Sequence, residues 1–141
     1  MLALALLLFW DLFMLFRLFG LSGALFAGLS VIFSAAFAHL PQFAAGVPST
    51  VQTALTQQQF HALGLLVVAL AIWQGHSSRW LLAAGGLMLT GMALFSLNIY
   101  ARHLLGWDAL RGLVPWGGGA WIAAWGALAM GLTLKVSNQV D

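Results

Sequence analysis

The chain has no cysteine, and charge is nearly as scarce: Lys and Arg total 5, Asp and Glu total 3, in 141 residues. The missing thiols exclude disulfides, thiolate nucleophiles and Cys-ligated zinc or iron–sulfur clusters, and leave the redox compartment open. At 6% charged and 62% hydrophobic, the composition is far from that of a soluble domain, where about a quarter of residues are charged. It is that of an integral membrane protein. The pI near 10.0 reports only a handful of charges. It implies no basic groove, and nucleic acid is excluded as a partner.

Four apolar stretches approach the ~20 residues needed to cross about 30 Å of hydrocarbon. They run over 18–40, 60–73, 80–100 and 113–134. The second is short, but Pro48-Ser49-Thr50 is a good helix start, and Val51, Ala54 and Leu55 recur at helical spacing. Its helix therefore extends upstream to about residue 51 as an amphipathic turn or two, which places His61 near the interface. The expected fold is all-α, a polytopic four-transmembrane-helix bundle over 17–136 with a polar tail, 137–141.

Residues 1–40 are almost wholly apolar and would measure about 60 Å as one helix, too long for a single span. Asp11 and Arg17 are the only charges there. The reading divides the stretch into an extra apolar segment, 1–16, and a span from Arg17 onward. The extra segment lies along the interface, covers a partner or forms a tilted extension. A secretory signal competes, with Arg17 as n-region, Leu18 to Phe33 as h-region and Ala36-Phe37-Ala38 as cleavage site, but a retained segment is expected.

Four spans put both termini beside the 74–79 loop, collecting Arg17, Arg79 and Lys135 against Arg102 and Arg111 opposite. This small excess favours cytoplasmic termini. Trp73 and Trp80 then mark one interface, and Tyr100, Trp107 and Trp116 the other.

Helix packing explains most of the patterning. Gly20, Ala24, Gly28, Ile32 and Ala36 repeat every four residues and lead to His39, and small residues allow close backbone approach in lipid. In the last span, Ala120, Ala124, Ala127 and Gly131 form a similar stripe beside a bulky one containing Trp121 and Trp125. Gly91 and Asn98 lie seven apart on the third span, and Asn98 is a candidate for a bond across the helices. Pro115 suits a first helical turn, and Gly117 and Gly118 permit close approach to a neighbour.

No carboxylate falls within the four spans, so proton-coupled transport in the manner of small multidrug antiporters has no visible site. Small-solute transport is the weakest reading. His39, His61 and His103 fall on one membrane face and His76 on the other. Convergent imidazoles are ligands for copper, zinc or haem iron, whereas the blander reading has His39 and His61 bonded to each other, to loop carbonyls or to interfacial water and so clasping the first two helices. Quinone contact through His61, Gln57 or Asn98 is a further alternative.

The runs FSAAFAHL, TALTQQQFHALGLL, LLAAGGLMLTGMALFSLNIYARHLLG and LVPWGGGAWIAAWGALAM together resemble the YgdD/YwdK-like family of small bacterial inner-membrane proteins, a domain of unknown function related to a small mitochondrial transmembrane protein. Ala38-His39-Leu40, Phe60-His61-Ala62-Leu63 and Pro115 with Gly117 and Gly118 match the family's motifs in order and spacing. The Ala36-Phe37 pair and Ser96 to Tyr100 depart from the pattern, and 1–16 has no counterpart. The resemblance implies a four-helix inner-membrane protein without implying a reaction. The expectation is a non-enzymatic accessory or structural subunit of a membrane complex, without cofactor apart from bound lipid. The alternative is a haem b, metal or quinone site at His39 and His61.

Overall fold

The computed structural model describes residues 2–74 and 79–134, with side chains from residue 13 onward. His76 and the tail 137–141 lie outside the described residues, as does the Asp11 side chain. Five α-helices follow one another, and among the described residues there is no strand. Helix α1 spans Leu2–His39, α2 Ser49–Trp73, α3 Arg79–Gly91, α4 Asn98–Leu105 and α5 Val114–Thr133. A π-helical turn, Met92–Leu97, joins α3 to α4, so the two form one rod from Arg79–Leu105.

Three of these rods are long and apolar enough to cross a membrane: the Phe13–His39 part of α1, α2, and the α3–α4 rod. Helix α5, with 20 residues, has the length but dilutes its aliphatic residues with tryptophan and glycine. The backbone of α1 is helical from Leu2, so the apolar N-terminal segment and the first span are continuous. Neither Asp11 nor Arg17 breaks the helical hydrogen bonding, since a single charge leaves the backbone donors and acceptors untouched. Arg17 instead sits 5.4 Å over the Phe13 ring.

Each rod runs antiparallel to its neighbour. Gln58 of α2 meets Phe26 of α1, Ala54 meets Ser96 of the π turn, and Leu81 at the start of α3 lies beside Gly131 at the end of α5. The core between them gathers Phe19, Leu65, Val68, Leu81, Met88, Met92, Trp121 and Leu128. A second cluster at the other end stacks Phe33, Phe37, Phe43 and Tyr100 against Val51 and Ile99. Tyr100 is thus buried at 4% exposure, whereas Trp73, Trp107 and Trp116 are exposed.

The inward face of α1 is Phe19, Gly23, Phe26, Ser30, Phe33 and Phe37, at alternating four- and three-residue steps. That is the seam of gently crossing helices. Ala24 and Gly28, from the neighbouring small-residue stripe, face outward, and a Cβ on Gly28 would meet nothing within 4 Å. The reason is that smallness is supplied from both sides of each contact. At Gly23 an added Cβ would lie 2.9 Å from the Ala62 carbonyl oxygen, whereas Phe19 is accommodated because its partner is Gly85. Gly20 makes an ordinary approach, with its Cβ position 3.6 Å from that of Ala69.

Candidate functional site

Helix α2 continues without interruption from Ser49, and His61 stands at its midpoint, about 18 Å from either end. It is buried, at 3% exposure. The upstream residues are helical, and Val51, Ala54 and Gln58 face the core, so His61 lies well inside the packed helix and not at its end.

Three elements build the surroundings of His61. From its own helix, the Gln57 carbonyl one turn earlier accepts from Nδ1 at 2.7 Å. From α5, the indole N–H of Trp125 donates to Nε2 at 3.1 Å. An indole nitrogen can only donate and a backbone carbonyl can only accept, so the pair selects the tautomer with its proton on Nδ1. One turn earlier on α5, Trp121 stacks its ring on the imidazole, with centroids 4.0 Å apart and planes 9° from parallel. The Trp121 indole in turn donates to the Met88 carbonyl of α3 at 3.2 Å. Phe60 and Phe95 extend the aromatic assembly, with centroids 5.0 Å from Trp125 and Trp121 respectively.

Beside this assembly lies a groove of about 370 Å³, open to the side and lined by Gln57, Phe60, His61, Phe95, Gly118, Trp121, Ile122 and Trp125. Its walls are aromatic and aliphatic, with one amide and one imidazole. No nucleophile is paired with a base there. Among the described residues, no three His, Cys, Asp or Glu side chains stand close enough to hold a metal ion.

The three sequence-selected histidines are separated. His39 is exposed in the last turn of α1. His103, near the end of α4, has Nε2 3.1 Å from the Thr50 hydroxyl at the start of α2. Neither reaches His61, whose two ring nitrogens are already engaged. Asn98 turns to its own neighbourhood, donating through Nδ2 to the carbonyls of Leu94 and Leu110 at 3.1 and 2.6 Å, and so fastens the connection into α5. Gly91, Ala124 and Gly131 are buried along the α3–α5 contact, and Gly117 is buried where α5 meets the π turn. A Cβ at Gly91 would fall on the Trp121 indole and one at Gly117 would be 2.8 Å from the Phe95 backbone nitrogen, whereas Gly118 has open space. Pro115 occupies the first turn of α5.

Sequence reasoning missed Trp121 and Trp125 as partners of His61. Their signal was their four-residue spacing, which places two indole donors on one face of an apolar helix where each needs an acceptor. Gln58 was missed too: it is fully buried, and its Nε2 donates to the Phe26 carbonyl of α1 at 2.9 Å.

The three long apolar helices define a helical, multi-pass membrane protein. The model of a family described as "Protein of unknown function (DUF423)" matches residues 33–118, more than half of the chain, and the chain belongs to that family. It is also similar to the UPF0382 membrane protein YwdK of Bacillus subtilis (strain 168), at 34% identity over 73 residues. That match covers 52% of this chain and 59% of the relative, so the chain spans less than two thirds of its relative's length. No solved structure matches.

Proposed function

We propose that the protein is a non-catalytic subunit that docks laterally on another protein in the bacterial inner membrane, with four spans, α5 being the fourth, and cytoplasmic termini. The observation that carries this is the outward face of α1. Only 17% of its span is buried, against 50% for α2 and 39% for the α3–α4 rod. Leu21, Ala24, Leu25, Gly28 and Ile32 present small positions between large ones to the outside. Small residues facing away from the fold offer a second helix a close backbone approach, which lipid chains do not require. The length of α5, about 30 Å, and its lack of charge support its crossing the membrane.

The test exploits the open space at Gly28. Gly28→Leu and Ala24→Leu leave the packed side of α1 untouched, so the purified variants keep their thermal stability. Blue-native electrophoresis from mild detergent should show the native protein in a larger assembly and the variants released from it. Migration of the native protein only as a free monomer in several detergents would overturn the reading.

A second reading rests on the groove beside His61. Its aromatic walls with Gln57 and His61 fit a flat lipid-soluble molecule such as a quinone better than a metal or haem at His39 and His61, because those two histidines do not face a common centre. Co-purified quinone that is lost in Gln57→Leu would favour it, and a Soret band or stoichiometric metal would count for the haem or metal alternative.

A further inference from the structure

Away from the His61 groove, the C-terminal end of α4 and the start of α5 enclose a second cavity, of about 270 Å³. Arg102, His103, Arg111, Thr50 and Asn98 line it, with Val114 and Pro115. Two of the chain's four arginines therefore meet at one recess. Arg102 is held by Asp108, Nε to Oδ1 at 2.8 Å, which leaves the outer amino groups of its fork for another oxygen. Among the described residues, Arg111 has no carboxylate partner. With one carboxylate, on Arg102, against two guanidinium groups, the recess keeps a net positive charge. The Thr50–His103 pair adds a hydroxyl and a ring nitrogen.

We propose that this recess binds a phosphate group. Guanidinium forks match the oxygens of a phosphate in a bidentate way, and Arg102 and Arg111 line the recess from two different elements. The position suits the phosphate of a membrane lipid. In the stretch that supplies the recess, Trp107 and Trp116 are 54% and 73% exposed, and Leu105, Leu110 and Leu113 are exposed too, the pattern of side chains at headgroup level. Free inorganic phosphate shares the same chemistry. The inference is independent of lateral docking through α1, which uses another face.

Native mass spectrometry of the full chain, released from mild detergent with added phosphatidylglycerol or diacylglycerol, tests it. The native protein retains one phosphatidylglycerol and no diacylglycerol, and Arg111→Gln lowers retention about tenfold. Arg111→Lys, which keeps the charge without the fork, falls between. Arg17→Gln, at the other end of the molecule, leaves retention unchanged. Arg111 is exposed, so unaltered thermal unfolding of the variants is expected and checks that the fold is intact. Calorimetric titration with inorganic phosphate separates the two sources. Heat from phosphate that vanishes in Arg111→Gln supports a site for the group itself, and its absence alongside retained phosphatidylglycerol supports a headgroup site. Equal retention of phosphatidylglycerol and diacylglycerol, or retention unaffected by Arg111→Gln, overturns the proposal.

Discussion

The indole N–H of Trp125 points at the Nε2 lone pair of His61 at 3.1 Å, across 64 residues of sequence and from one helix to another. With Trp121 stacked on the same ring, His61 joins the middle of α2 to the middle of α5. Through the Trp121–Met88 bond it is joined to α3 as well. Between helices in lipid, such polar contacts supply what hydrophobic burial does not, because lipid tails are as apolar as the side chains they would release.

A double-mutant cycle measures that link. Trp125→Phe keeps the ring and removes the donor, His61→Phe keeps the stacking and removes the acceptor, and each is expected to destabilise by about 1 kcal/mol. The double variant should lose less than the sum, with a coupling of about 0.5–1.5 kcal/mol. Steric trapping or thermal unfolding in one detergent reads it. Strict additivity would mean that the bond holds nothing.

How far the sequence foretold this arrangement depends on the kind of signal. Spans follow from long apolar runs, because every backbone polar group in hydrocarbon must be satisfied within its own helix. Which face of a helix is buried does not follow so easily. In α1 nearly every residue is apolar, so no polar side marks the outside, and Ala24 and Gly28 were as plausible inside as Phe19 and Gly23. The expectation gave His61 a bond to His39, a loop carbonyl or water, whereas its ring nitrogens meet the Gln57 carbonyl and the Trp125 indole. His39 shares the chemistry of His61, whereas Trp125 lies beside it across the α2–α5 contact, and the pairing of those two helices does not follow from a helix start at Ser49 that the sequence already marks. The π turn left no trace in the hydrophobic pattern, and it is the segment from which Ser96 donates to the Ala54 carbonyl at 2.9 Å.

Gln58 provides the only side-chain hydrogen bond between α1 and α2 among the described residues, to the Phe26 carbonyl. Gln58→Leu preserves much of the volume and removes the donor, at an expected cost of about 1 kcal/mol. Gln58→Ala adds a cavity at a fully buried position and should cost about 2–4 kcal/mol. Equal midpoints for the two variants in thermal unfolding would show that packing at this position contributes little.

Asn98 holds the connection between α4 and α5 through two carbonyls. Asn98→Ala releases the segment 106–110, and limited proteolysis should cut there faster while the helices stay protected. Asn98→Asp should be worse, because an ionised carboxylate would set acceptors against the Leu94 and Leu110 carbonyls. A cleavage rate unchanged in both variants would show that Asn98 does not restrain the segment; the Arg102–Asp108 pair, exposed on both sides, contributes little to it in either case.

The glycines of the α3–α5 contact separate packing from backbone entropy within one chain. Gly91→Ala drives a methyl group into the Trp121 ring, and Gly117→Ala drives one against the Phe95 backbone nitrogen, which no rotamer change relieves. Each should destabilise by about 1–3 kcal/mol, with Gly117 the more severe because backbone must move. Gly118 and Gly126 lie on the same helix with no atom within 4 Å of an added Cβ. Alanine there restricts the unfolded chain without a clash and should leave stability unchanged or raise it by about 0.4–1 kcal/mol. Gly106 is a third case: its Cβ position is equally open, but its φ of 69° closes α4 in the left-handed region. Gly106→Ala therefore costs about 1 kcal/mol through the backbone alone. Unfolding midpoints ordered Gly117→Ala, Gly91→Ala, Gly106→Ala, then Gly118→Ala from lowest to highest would show that close approach of α5 to the π turn, rather than glycine content as such, limits stability here.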